Sequence, residues 1–304
     1  MSSLSKTQIA AGSWLELPYD RCRDTIQTLH MELQIIGKLR LALSPLEPQW
    51  ANVPLYLTAR GLTTTPMLSG DAIFAVDVDL IDHQVTIAVN DGRVGRVALR
   101  ERPVADFYRE FIDRLREMGI EVRISTMPSE VPDPIRFDQD RTHSAYEPEW
   151  ATRFFQVLSR IDLVLKRHRA AFRGRTSLVN FFWGTFDLSL TRYSGRRVEA
   201  PAGAGVIHRV SADAEAIAVG FWPGNTQVPM PAFFGYAYPK PDGLEAETIG
   251  PAGARWDERL GEFILPYEEV RSASPPQDAL LEFCRSVYDA SARLAGWDST
   301  LVRG

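Results

Sequence analysis

Two long stretches of helical periodicity, each followed by short alternating segments, constrain this chain more than any other feature. In the first, Cys22, Ile26, Leu29, Leu33 and Ile36 recur at spacings of 4, 3, 4 and 3, which lines one face of a 3.6-residue helix. Met31, Ile35 and Leu39 run down its flank and leave only Arg23, Gln27, His30, Gln34 and Lys38 as a polar stripe. A helix with so little polar surface is buried on more than one side. Asp20 is well placed as its N-cap. In the second stretch, opened by Glu147-Pro148, Trp150, Phe154, Val157, Ile161, Val164 and His168 repeat the pattern.

The segments between the helices read as antiparallel strands. Val53–Arg60, Ala72–Leu80, Val85–Val89 and Val94–Leu99 follow the first helix, with hairpin chemistry at Asp82-His83-Gln84 and Asn90-Asp91-Gly92. Pro103 opens a helix faced by Phe107, Phe111, Leu115 and Met118 and closed by Gly119, and Glu121–Ile124 reads as a last strand. Residues 125–146 carry Pro128, Pro132 and Pro134 and no period, so they form an extended connection. Beyond the second helix, strands are expected over 178–193, 215–222, 232–238 and 262–267, with Gly/Ala/Pro-rich loops at 199–205, 223–231 and 239–255. A final helix, capped by Ser274, presents Leu280, Phe283, Val287 and Leu294.

The expected fold class is therefore α+β: two tandem helix/antiparallel-sheet/helix halves, 14–124 and 147–297, joined by 125–146 and packed as one body. Leu57-Thr58-Ala59-Arg60-Gly61 matches Leu190-Thr191-Arg192-Tyr193-Ser194-Gly195 in the order of its Leu-Thr, Arg and Gly. With the shared element order, this points to a diverged internal duplication. The alternative is that any two α+β units share such an order.

Charge and motifs narrow the function classes. Lys and Arg number 34 against 39 Asp and Glu, a net charge of −5, which argues against an obligate nucleic-acid partner. Cys22 and Cys284 are too few for a disulfide framework and read as small buried apolar residues. With no apolar leader behind Met1 and no run of about 18 apolar residues, the expectation is a cytoplasmic protein without a membrane partner. Phosphate-loop, dinucleotide-binding, zinc-protease and nucleophile-elbow signatures are absent, so no cofactor is expected. Asp138, Asp140 and His143 come nearest to a metal cluster, but in an acidic connection they read as a solvated loop, and no metal is expected.

Aromatic residues of the second half gather beside glycine and proline, in Phe181-Phe182-Trp183-Gly184, Gly220-Phe221-Trp222-Pro223-Gly224 and Phe233-Phe234-Gly235-Tyr236-Ala237-Tyr238-Pro239. On a strand, alternation points Phe181 with Trp183 and Tyr236 with Tyr238. Such rings make either a ligand slot or a plain sheet core. Asp187, inside an apolar strand, and Arg192, at its end, are expected to pair, because an isolated strand charge is costly. Arg60 and Arg192 at equivalent strand ends would clamp a carboxylate or phosphate, and Lys38 and His30 would add charge if their stripe faces a pocket. The candidate ligand-binding residues are thus His30, Lys38, Arg60, Trp183, Asp187, Arg192, Trp222, Tyr236 and Tyr238. They suggest a binder or enzyme for an anionic small molecule with its pocket between the halves. The competing function is a structural or protein-interaction module.

One further likeness rests on Trp14-x-x-Leu17-Pro18-Tyr19, Gln34-x-x-Gly37-Lys38, Val53-Pro54-Leu55-Tyr56, Val131-Pro132-Asp133-Pro134-Ile135, Phe182-Trp183-Gly184-x-Phe186-Asp187-Leu188 and Gly220-Phe221-Trp222-Pro223-Gly224. In this combination the chain resembles an uncharacterised bacterial family of domains of unknown function, family 5996. The resemblance runs from about Trp14 to Trp297. It implies one long unit and brings no activity, cofactor or catalytic residue with it.

Overall fold

The computed structural model describes residues 14–199, 203 and 205–302; the start of the chain and most of the loop expected at 199–205 lie outside them. Helix α1 (Tyr19–Leu43) follows the first periodic stretch. Both its apolar lines are buried, and so are Gln34 and Lys38 of its polar stripe. No side chain caps it: Pro18 holds the N-cap position and Asp20 sits inside the first turn, where a carboxylate complements the helix dipole.

The strand expected over 53–60 breaks into β1 (Tyr56–Leu57) and β2 (Gly61–Thr63). Between them Thr58 Oγ1 accepts the backbone N–H groups of Arg60 at 3.2 Å and Gly61 at 3.1 Å, which turns the chain back on itself. Then come β3 (Met67–Ser69), β4 (Ala72–Asp79), β5 (Gln84–Val89), β6 (Val94–Ala98) and α2 (Val104–Glu117). The sheet runs β1-β2-β4-β5-β6, with β3 also on β4. Glu121–Ile124 forms no strand; the Glu121 carbonyl accepts from Ser69 Oγ instead.

The second half holds α3 (Pro148–Ala170), β7 (Asn180–Phe182), β8 (Asp187–Arg197), α4 (Val206–Ser211), β9 (Ala214–Trp222) and β10 (Ala232–Tyr238). It closes with β11 (Arg255–Asp257), β12 (Glu262–Pro266), α5 (Tyr267–Arg271) and α6 (Pro276–Leu294). Its antiparallel sheet runs β11-β12-β10-β9-β8-β7. The continuous strand expected over 178–193 is a hairpin, turned at Trp183–Phe186, where Phe186 N–H bonds the Phe182 carbonyl at 2.8 Å. The turn escapes a polarity-based reading because two of its four residues, Trp183 and Phe186, are rings that become buried.

Edge strands join the two halves. Leu55 and Phe181 exchange both backbone hydrogen bonds at 2.9 Å, and one buried apolar cluster takes residues from both halves. Each half runs long helix, antiparallel sheet, closing helix, but in the second β12 stands between β10 and β11, and α4 and α5 are additional. Arg60 and Arg192 are not equivalent in this order: Arg60 lies in the β1–β2 turn, Arg192 in the middle of β8. Among the described residues no helix is long and apolar enough to cross a membrane.

The sheet of the second half has two unlike faces. Leu188, Leu190 and Arg192 of β8, Phe221 of β9, Phe233 of β10 and Phe263 and Leu265 of β12 are buried on the side of α3 and α6. Alternation turns Asp187, Ser189, Thr191, Tyr193, Trp222, Phe234, Tyr236, Tyr238 and Glu262 to the other side, where the helices do not reach.

Candidate functional site

That second face lines a cavity of about 660 Å³, the size of a small-molecule site. Strands β7, β8, β9, β10 and β12 make its floor. Leu41 at the end of α1, the loop residues Gln49, Trp50 and Val53, and Ser129 and Glu130 of the connection make its wall. It thus lies where the two halves and their connection meet.

The wall is positioned by α1. A Cβ on Gly37 would overlap the Trp183 indole, so the glycine lets that ring lie against the helix, where its Nε1 donates to the Val53 carbonyl at 3.0 Å. One turn earlier the Gln34 amide grips the backbone of Ser129 from both sides. Its Nε2 donates to the Ser129 carbonyl and its Oε1 accepts the Ser129 N–H, each at 2.8 Å. His30 Nε2 lies 3.0 Å from the carbonyl oxygens of Trp183 and Gly184. Lys38 Nζ donates to Ser129 Oγ at 2.9 Å and stands 5.6 Å from the centre of the Trp183 ring. Spaced i, i+4, i+8, these three side chains fall on one helix face. A Cβ on Gly184 would overlap the Glu130 carboxylate, so that glycine too is set by a close approach.

Backbone strain gathers here. Seven described non-glycine residues have left-handed φ; Gln49, Trp50 and Glu130 among them line the cavity, and Phe186, at +64°, immediately precedes Asp187. Each such conformation costs roughly 1–3 kcal/mol and persists only where surrounding contacts impose it.

The charge of the lining is one-sided. Glu130, Asp187 and Glu262 line the cavity, and among the described residues no Lys, Arg or His side chain does. Burial pushes the Asp187 carboxyl up to about 7; a hydrogen bond from the Thr185 hydroxyl opposes the rise and the Glu130 charge adds to it. Burial likewise pushes Glu262 up to about 7, with the charges of Asp187 and Asp257 acting the same way. Glu130 is raised by burial. The Tyr236 hydroxyl is raised by burial and then by Asp187 and Glu262, although the residue is 37% exposed: it faces the cavity yet is surrounded by protein.

Of the residues expected from the sequence, Trp183, Asp187, Trp222, Tyr236 and Tyr238 line the cavity together. His30 and Lys38 stand behind its wall, and burial pushes the His30 imidazole down to about 4. Phe181 does not accompany Trp183; it is fully buried against Phe154 and Phe186. Arg60 is on the surface, bonded to Asp79 at 2.5 Å and Asp82 at 2.7 Å. The expected Asp187–Arg192 pair does not exist. Five residues apart on one strand, they point to opposite faces, and Arg192 lies between the rings of Phe172 at 4.9 Å and Tyr288 at 4.5 Å while its Nη2 donates to the His168 carbonyl. Asp138 is paired with Arg136, and Asp140 binds His143 Nδ1 and the N–H groups of Thr142 and His143, so those three side chains serve the connection itself. Cys22 and Cys284 are buried, and burial raises both thiols, to about 11 and about 12.

Sequence reasoning missed Ser129, Glu130, Glu262, Trp50 and Phe234. Glu262 was open to a parity count, since Phe263 and Leu265 alternate with it on β12. Ser129 and Glu130 lie in a proline-rich connection without period, and only tertiary contact brings them to the site.

A family model, that of a family of unknown function (DUF5996), matches residues 14–303, so the chain belongs to that family. No curated protein and no solved structure matches it.

Proposed function

Membership of a family whose description names no activity leaves the site's own chemistry as the guide, and from it we propose that the cavity binds a small organic cation with an apolar or aromatic body. The observation that carries this reading is the pairing of three carboxylates with a ring-rich lining in which no described residue is basic. Neighbouring carboxylates repel one another, and a buried one such as Asp187 is costly to ionise. An ammonium group entering between them relieves both costs, and the faces of Trp183, Trp222 and Tyr236 attract the same charge, by about 0.5–2 kcal/mol per ring. The anionic ligand expected from Arg60 and Arg192 has no support at this cavity, because neither guanidinium lines it.

The test is a titration followed by tryptophan fluorescence, since Trp50, Trp183 and Trp222 report on the cavity. Aromatic and alkyl amines should bind saturably, their carboxylate isosteres should not, and Asp187→Asn should weaken amine binding at least tenfold. Preferential binding of the acids would overturn the reading. A panel in which nothing binds would favour the protein-interaction module. The matching element order of the two halves is, on the same footing, read as a diverged duplication whose mark is topology rather than the Leu-Thr…Arg motif.

A further inference from the structure

Lys38, buried behind the wall, is left unexplained by cation binding. Its side chain is 6% exposed, it has no salt-bridge partner among the described residues, and its hydrogen bond runs to the hydroxyl of Ser129, a residue of the cavity lining. Apart from the Trp183 ring at 5.6 Å, this ammonium has one neutral acceptor and no counter-charge, so burial favours the neutral amine. Burial accordingly lowers the affinity of Lys38 for its proton. A neutral amine 2.9 Å from a serine hydroxyl is in place to take the hydroxyl proton. The hydroxyl is also held in position: Gln34 fixes the Ser129 backbone by two hydrogen bonds, Gly37 seats Trp183 beneath Lys38, and Glu130 next in the chain is forced to φ +57°.

We infer that Ser129 is a nucleophile for acyl transfer and that Lys38 is its general base, the two forming a serine–lysine pair at the wall of the cavity. The substrate class is an ester or amide, and insofar as the cavity selects organic cations, one that carries a positive charge; that specificity rests on the preceding reading. Lys38 Nζ takes the proton from Ser129 Oγ as the oxygen forms a bond to the carbonyl carbon. The C–O or C–N bond to the leaving group then breaks, and the leaving group departs with the proton held by Lys38. A water, deprotonated in turn by Lys38, attacks the seryl ester; the acid is released and the proton returns to Ser129. Gln34 touches none of the reacting atoms and is a positioning residue.

The probe is diisopropyl fluorophosphate, with which Ser129 Oγ forms a bond to phosphorus while the P–F bond breaks and fluoride leaves. Intact-mass and peptide analysis of the full chain should find one phosphoryl adduct per chain, at Ser129, formed faster as pH rises through the lowered titration range of Lys38. Ser129→Ala should carry none, and Lys38→Met and Lys38→Arg should each slow labelling at least 100-fold. If Lys38→Met does not fold, the arginine variant and the pH profile of the unaltered chain decide. Absence of an adduct on folded protein at pH 9, an adduct at another residue, or labelling indifferent to Lys38 overturns the pair. Amine binding without labelling would sink the serine–lysine pair alone, and labelling without any preference for amines would sink cation selectivity alone.

Discussion

The two antiparallel sheets each follow a long helix and differ in what borders their outer face. In the first half, β4 alternates strictly, with Phe74, Val76 and Val78 buried and Ile73, Ala75 and Asp77 turned outward. In the second, Asp187–Leu190 of β8 and Ala232–Gly235 of β10 are buried on both faces, and the end of α1, the Pro48–Trp50 loop and the connection border the outer one. The space they border is furnished with rings and carboxylates. A similar frame therefore serves as plain scaffold in one half and as a site in the other, according to what is laid over it.

The sharpest way to break this contrast uses neighbours on one strand. Phe221 is fully buried against Phe233 and Tyr267, while Trp222, the next residue, lines the cavity. Phe221→Ala should cost about 3–5 kcal/mol in urea unfolding. Trp222→Ala should cost under about 1.5 kcal/mol, as only part of the ring is covered, and yet abolish amine-induced quenching. Similar losses of stability from both would mean that the two faces are one dry core.

A second experiment reads the carboxylates through pH. The Asp187 carboxyl is raised in the folded state, so the native chain holds a proton that the unfolded chain releases from about pH 4 upward. Its contribution is fully present below that pH and is lost as pH rises through about 7. Asp187→Asn removes the penalty, so the variant should gain on the parent with rising pH, by up to about 4 kcal/mol at pH 8. Amine affinity of the parent should rise over the same interval, because the cation prefers ionised carboxylates. A gain independent of pH would place Asp187 outside a low-dielectric pocket.

The smallest effect belongs to the opposite face of that strand. Arg192 strands no carboxylate when removed, and its Nε is buried without a hydrogen-bond partner. Arg192→Met, which keeps the packing against Phe172 and Tyr288, should change stability by no more than about 1.5 kcal/mol in either direction and leave amine binding unchanged. A loss of 3–5 kcal/mol, roughly the cost of breaking a buried pair, would reveal a partner charge at Arg192.

Sequence periodicity determined much of this protein. The two long helices, the closing helices, and β4, β5, β6, β9, β10 and β12 of the two antiparallel sheets follow from patterns of 3.6 and 2, which express burial on one side of a local element and need no distant contact. The gathering of rings on the second sheet was legible for the same reason. Tertiary structure alone decided the rest. The turn at Trp183–Phe186 is invisible to polarity because other elements bury its rings, and the parity it sets separates Asp187 from Arg192. Glu130 and Ser129 reach the cavity only because Gln34, 95 residues earlier, holds the connection there. Whether the polar stripe of α1 met water or protein rested on what packed against it, since a periodic pattern shows which side of a helix is apolar and says nothing of what its polar side will touch.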